Sequence, residues 1–244
     1  MKWMITCMVV IGCFFFSGAI MAERLRIAVA SNFAQVLTQI AQQFELEFNQ
    51  GIDVIPGSTG KFYAQIKQGA PFDIFLAADV KRPQLLEHDL LIIMNSRITY
   101  AVGQLALWTV HSKNAFDLLK SNKLTKLAIA NPKFAPYGQA ATEVLRYFNL
   151  YDQVKNKLVY GENVAQAFKF VQSGGADAGF VPLAFVKNAP GKYWLPSSAS
   201  YHPIEQQLVI LKSTNQLELA RRFVSYLGSD KIKILISNYG YSVP

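Results

Sequence analysis

Small hydroxyl- and amide-bearing residues stand at two points where a predicted strand gives way to a helix. One is Ala30-Ser31-Asn32-Phe33-Ala34, the other Gly57-Ser58-Thr59-Gly60-Lys61-Phe62. The first turn of a helix has backbone N–H groups with no partner inside the helix, and the macrodipole puts partial positive charge there. Two such termini could close around an anion without any Lys or Arg touching it. Either turn alone reads as an ordinary helix cap, since Ser and Asn are leading capping residues. A second such turn after a neighbouring strand shifts the balance toward a site. Spacing supports no other chemistry. His88, His111 and His202 are isolated, without an i, i+4 partner or a nearby carboxylate set, so metal ligation is not expected. The chain has no G-x-S-x-G elbow, P-loop or paired-carboxylate signature. Asp73 and Asp79 flank a predicted strand and are expected to serve turns or lobe contacts, because a carboxylate beside a bound dianion would repel it.

The elements that must position these turns alternate regularly. Leu25 to Ala30 reads as a strand, and Ala34 to Phe48 carries Val36, Leu37, Ile40, Ala41, Phe44 and Phe48 at a helical period. Gly51 precedes a strand at Ile52–Ile55, a short helix runs from Lys61 to Gln68, and Asp73 to Ala77 is the next strand. This βαβαβ order predicts a parallel sheet with right-handed crossovers, whose ligands bind beyond the carboxyl ends of the strands, where Ser31 and Ser58 fall. The pattern recurs with strands at Leu127–Ala130, Leu158–Tyr160 and Ala178–Val181, and helices at Gly138–Phe148 and Val164–Gln172. Two extended segments, Tyr100–Val110 and Glu205–Leu211, read as crossings between lobes, and an amphipathic helix follows around Leu217–Leu227. The fold class is therefore α/β, two lobes each a mostly parallel sheet flanked by helices. Its lobes are 23–103 plus 208–244 and 104–207, with the ligand cleft between them.

The N-terminus runs Met1-Lys2-Trp3, then apolar from Met4 to Ile20, with Ala22 as a cleavage point before Glu23-Arg24. That pattern predicts a cleavable export signal over 1–22 and a periplasmic location. Val10-Ile11-Gly12-Cys13 resembles a lipobox, but Phe14-Phe15-Phe16 continues the apolar run, so lipid anchoring at Cys13 is the minor alternative. Cys7 and Cys13 both lie in that segment, leaving no disulfide, thiol nucleophile or Cys-based metal site downstream. The formal charge of +8 comes from scattered Lys and Arg, with no run longer than Lys81-Arg82 or Arg221-Arg222. Nucleic acid is therefore not an expected partner, though a positive field helps to collect anions.

Six segments in order resemble the molybdate-binding members of the type II solute-binding proteins that serve bacterial ABC importers. They are Ala30-Ser31, Gly57-Ser58-Thr59-Gly60, Gln68-Gly69-Ala70-Pro71-Phe72-Asp73 with Ala77-Ala78-Asp79, Asn131-Pro132 through Ala135-Pro136-Tyr137-Gly138, Gly161-Glu162-Asn163-Val164, and Gly174-Gly175-Ala176-Asp177 through Val181. The resemblance runs from about Leu25 to Tyr241. It implies a binding protein without catalytic residues or cofactor, a monomer whose ligand is molybdate or tungstate and whose partner is an inner-membrane ABC permease. Molybdenum would enter only as the oxyanion, with no direct protein–metal ligand. The resemblance also implies the donors: the hydroxyl and backbone N–H of Ser31 with Asn32 close behind, Ser58 or Thr59, Tyr137, and Val164 through its backbone N–H. One departure is Pro182, where many members carry a tyrosine whose phenol donates to the anion; proline has neither hydroxyl nor N–H. That departure keeps open a receptor of the same fold for sulfate, a phosphonate or a small organic anion. An exported enzyme is the reading from a different class. If the hydroxyls bind ligand, Ser31→Ala and Thr59→Ala are expected to weaken binding and leave the ligand-free melting temperature unchanged.

Overall fold

Near-continuous apolar strands such as Leu25-Arg26-Ile27-Ala28-Val29-Ala30 cannot leave a face in water, so they must be covered by helices on both sides. The structure, a computed structural model, describes residues 24–111 and 114–244. The expected signal segment lies outside the described residues. In the first lobe, β1 (Leu25–Ala30), α1 (Ala34–Phe48), β2 (Ile52–Gly57), α2 (Thr59–Lys67), β3 (Ile74–Leu76), α3 (Lys81–His88) and β4 (Ile98–Gly103) follow one another. The second lobe holds β5 (Leu105–Thr109), α4 (Ala115–Lys120), β6 (Leu127–Ala130), α5 (Pro136–Tyr147), α6 (Tyr151–Val154), β7 (Leu158–Gly161), α7 (Val164–Gln172), β8 (Ala178–Pro182), α8 (Leu183–Val186) and β9 (Lys192–Trp194). The chain then returns through β10 (Ile204–Ile210) to α9 (Leu217–Leu227) and α10 (Asp230–Asn238).

Each lobe is one five-stranded sheet, ordered β2-β1-β3-β10-β4 in the first and β7-β6-β8-β5-β9 in the second. The two share a plan: three parallel strands, then an antiparallel strand that carries the chain across. Val29, Phe33, Leu37, Phe44, Phe223 and Ile232 are among the side chains packed on one face of the first sheet, and Phe62, Phe75 and Leu86 on the other. In the second lobe Leu107, Ile129 and Phe180 pack with Val144 of α5, while Trp108 packs with Ala167 and Val171 of α7.

The structure refines the expected elements in three places. The crossing expected over Tyr100–Val110 is two strands, with the passage between sheets confined to Gly103–Leu105. β10 pairs with β4 from Ile204 onward, so the chain is back in the first sheet ahead of the expected boundary at 208. The reason is pairing: Ile204 and Gln206 face Gly103 and Ala101 across an antiparallel ladder, and Gln206 is fully buried there. Helices α3 and α10 have no counterpart among the expected elements; each buries few side chains, Pro83 and Leu86 in α3 and Ile232 and Ile236 in α10.

Candidate functional site

β1 ends at Ala30 and β2 at Gly57, paired in register, so the turns Ser31-Asn32 and Ser58-Thr59 emerge side by side at the carboxyl edge of the first sheet. In the second lobe β6 and β7 end in register at Ala130 and Gly161, sending Pro136-Tyr137 and Asn163-Val164 out of the corresponding edge. The two edges face each other. Ser31, Asn32, Ser58, Thr59, Tyr137 and Val164 all line one small cavity. Each of the six is between 1% and 6% exposed. No charged side chain lines it among the described residues.

Helices α2, α5 and α7 begin at this cavity, with Thr59, Pro136 and Val164 as their first residues. The hydrogen bonds of the described residues leave the N–H groups of Asn32, Ser58, Thr59, Tyr137 and Val164 without a protein acceptor. The Ser58 hydroxyl is buried and unpartnered as well. Leaving a buried donor unmade costs about 1–3 kcal/mol, so an array of them in one place is a site waiting for an acceptor. Its chemistry is that of a donor cradle: N–H and O–H groups converge, the helix dipoles add partial positive charge, and no carboxylate stands by. Asp73 is engaged elsewhere, accepting from the Arg26 N–H at 2.7 Å and from the Thr214 hydroxyl at 2.6 Å. Asp79 pairs with Arg82. Among the described residues no cluster of three or more His, Cys, Asp or Glu could hold a metal ion.

The geometry corrects the expected donors in detail. The Ser31 N–H is spent on the Gly57 carbonyl at 2.8 Å, closing the β1–β2 ladder, so only its hydroxyl faces the cavity. That hydroxyl accepts a long contact of 3.5 Å from the Ala165 N–H of the other lobe. The Asn32 side chain is likewise committed, its Nδ2 donating to Gln206 Oε1 at 2.8 Å and to the Tyr241 hydroxyl at 3.3 Å. Asn32 therefore offers its backbone N–H alone. Thr59 Oγ1 accepts from the Ala78 N–H at 3.0 Å, which holds the end of β3 but leaves the hydroxyl proton free. Asn163 caps α7 by accepting from the Gln166 N–H at 3.1 Å. Tyr137 lines the cavity, yet its hydroxyl lies against Gly103 and Gln206, which do not. Pro182 closes β8 opposite Leu105 and does not line the cavity.

Sequence reasoning missed the contacts that hold the lobes together. The Gly60 N–H donates to the Phe134 carbonyl at 2.8 Å, and Arg82 reaches the Lys133 carbonyl at 3.1 Å. Lys61 and Glu162 pair across the mouth at 2.7 Å. Only the second glycine of Gly57-Ser58-Thr59-Gly60 was a signal for any of these. These contacts define a closed conformation.

A two-lobed α/β molecule, shut on a small cavity of unmet donors, is by architecture a solute receptor of the periplasmic-binding type. The chain belongs to the bacterial extracellular solute-binding proteins, whose family profile matches residues 25–242. It is 40% identical over 242 residues to the molybdate-binding protein ModA of Azotobacter vinelandii, covering 96% of each chain. It is 36% identical to ModA of Rhodobacter capsulatus, covering 88% of this chain and 86% of that one. Among solved structures, the Azotobacter vinelandii periplasmic molybdate-binding protein superposes with a TM-score of 0.88 at 38% identity, over 91% of this chain and all of the other.

Proposed function

We propose that this protein captures molybdate, and tungstate with it, outside the cytoplasm and delivers it to the permease of an ABC importer. The observation that carries the reading is the cavity lined by Ser31, Asn32, Ser58, Thr59, Tyr137 and Val164. Its unmet donors come from both lobes and no cation accompanies them. In this closed state the cavity has room for little more than a water-sized group, far below the roughly 300–1,000 Å³ usual for pockets that hold larger organic ligands. The named relatives bind molybdate, which supports the same ligand here. A cradle of N–H and O–H groups with no carboxylate suits an oxyanion that carries no proton at neutral pH, because a ligand proton would find only hydroxyl oxygens to accept it. Phosphate is disfavoured on that ground. Neutral donors also suit transport: each hydrogen bond to a charged group contributes about 1.5–3 kcal/mol net, so several give tight yet reversible binding. Release follows when the lobes open and the donors from α5 and α7 withdraw.

Isothermal titration of residues 23–244 with molybdate, tungstate, sulfate and phosphate tests the assignment. Strong heats with the first two and weak or none with the others are expected; silence with molybdate and tungstate would overturn it.

The hydroxyls should separate by their partners. Ser58→Ala deletes a buried hydroxyl that has no protein partner. It should therefore weaken molybdate binding by about tenfold and leave ligand-free stability unchanged or slightly higher. Thr59→Ala instead strips the Ala78 N–H of its acceptor. That variant should lose roughly 1–3 kcal/mol of stability as well as affinity, contrary to the unchanged melting temperature expected from sequence. Thermal melts with and without ligand distinguish the two; equal melting temperatures for both ligand-free variants would contradict the assignment of partners.

A further inference from the structure

Behind the cavity, where β4 and β10 carry the chain between lobes, five polar side chains meet in an apolar surround. Gln206 sits at the register shift between Gln206 and Gln207 on β10, a local irregularity of the kind that re-aims a side chain. Its Oε1 accepts from Asn32 Nδ2 at 2.8 Å and from the Tyr100 hydroxyl at 3.0 Å. The amide orientation is thereby fixed, and Nε2 is left buried with no acceptor. The Tyr137 hydroxyl, from the second lobe, is the other buried group here without a partner. Both lie close to the position that a side chain of Gly103 would occupy. A Cβ built there would stand 2.0 Å from the Tyr137 hydroxyl and 2.8 Å from Gln206 Nε2. The atoms are thus no further apart than the sum of those distances.

The remaining member is Tyr241, whose hydroxyl donates to the Asn32 carbonyl at 2.7 Å. With that proton committed, its oxygen can only accept. The Tyr137 hydroxyl makes no hydrogen bond to it in the structure. Burial pushes both phenols up, so each keeps its proton to donate.

We infer that Gln206 is a positioning residue for the anion site, completing a ring of hydrogen bonds in which Gln206 donates to Tyr137, Tyr137 to Tyr241, Tyr241 to the Asn32 carbonyl, and Asn32 back to Gln206. Two sides of the ring are formed in the structure. A small further approach of the lobes closes the other two, and hydrogen bonds in such a chain polarise one another. Because Tyr137 alone comes from the second lobe, the ring exists only when the lobes are shut. It holds Asn32 and Tyr137 from behind, so that their backbone N–H groups aim into the cavity from opposite sides. The Tyr137 phenol then serves the hinge and the Tyr137 N–H serves the ligand.

The inference rests on the molybdate reading for its readout. The test is a double-mutant cycle of Gln206→Met and Tyr137→Phe, read by titration with molybdate, with ligand-free melting temperatures recorded alongside. Each single variant should weaken binding by about tenfold, and the double variant by no more than the weaker single, because both break one ring. Effects that multiply would overturn the ring while leaving the ligand assignment intact; wild-type protein that takes up no molybdate would overturn the ligand assignment itself. Should Gln206→Met fold poorly, Gln206→Glu takes its place in the cycle, since it keeps the acceptor for Asn32 and Tyr100. That variant adds a second readout. Its neutral carboxyl still donates to Tyr137, and its ionised form does not. Its affinity in the Tyr137-containing background should fall as pH rises, more steeply than with Tyr137→Phe, whereas equal slopes in the two backgrounds would count against the ring.

Discussion

Replacing Gly60 with alanine should weaken molybdate binding by about tenfold or more while leaving the ligand-free protein at least as heat-stable as before. The two effects have opposite signs because Gly60 has different neighbours in the two states. With the lobes shut, its N–H meets the Phe134 carbonyl, and an added Cβ would lie 2.9 Å from Phe134 Cα and 3.0 Å from Phe134 O. Those are backbone atoms of a turn anchored by the Phe134 N–H and Ala135 N–H on the Asn131 carbonyl, so they cannot swing aside. With the lobes apart, the remaining close neighbour is the flexible end of Arg82. Glycine inside α2 costs roughly 0.5–1 kcal/mol relative to alanine, and the open state recovers that on substitution. A penalty confined to the closed state lowers the population that binds, and apparent affinity falls in proportion. The Lys61–Glu162 pair provides the control. Both side chains are about half exposed, and an ion pair in that setting contributes about 0–1 kcal/mol. Lys61→Ala should therefore leave affinity almost unchanged. Unaltered affinity in Gly60→Ala would mean that the bound state is not this closed state.

The contrast between those two contacts shows what the sequence could and could not reveal. Strands and helices with strong patterns were legible: β1, α1, β6 and α7 begin and end where the hydrophobic pattern put them, and α9 lies where its amphipathic period did. The turns carrying Ser31, Asn32, Ser58 and Thr59 could also be singled out, because strand-to-helix turns carry a compositional mark in Ser, Thr and Asn, whereas Tyr137 was named from resemblance. Which atom of each residue is free could not be read, because that depends on partners far along the chain. Ser31 loses its N–H to the carbonyl of Gly57, and Asn32 loses its side chain to Gln206 and Tyr241. Gln206, Gly103, Tyr100 and Tyr241 sit in strands or at a chain end, where their types look unremarkable. Their meaning appears only when β10 folds back beside β4 and α5 swings over both. Resemblance supplied Val164, whose buried apolar side chain would otherwise assign it to the core.

Val164 offers the sharpest test of the donor cradle, because its contribution comes from a backbone N–H that a single substitution can delete. Val164→Pro should weaken molybdate binding by about a hundredfold. Proline is tolerated at the first position of a helix, where its missing N–H has no intrahelical acceptor. Asn163 already holds φ −141° and ψ 175°, the extended conformation that a residue before proline requires. The cap from Asn163 to the Gln166 N–H survives as well. What is lost is one donor to a dianion, about 1.5–3 kcal/mol, and the proline ring fills the space that the N–H addressed. Each 1.4 kcal/mol is tenfold in affinity, which places the combined loss near a hundredfold. Val164 is buried among Val144, Phe180 and their neighbours, so the variant also changes packing. Val164→Ala separates the two effects, since it removes more of the side chain but keeps the N–H. The alanine variant should lose melting temperature and bind molybdate within a few-fold of wild type, and the proline variant should do the reverse. Equal weakening in both would assign Val164 to packing alone, and full affinity in the proline variant would move the anion away from the start of α7.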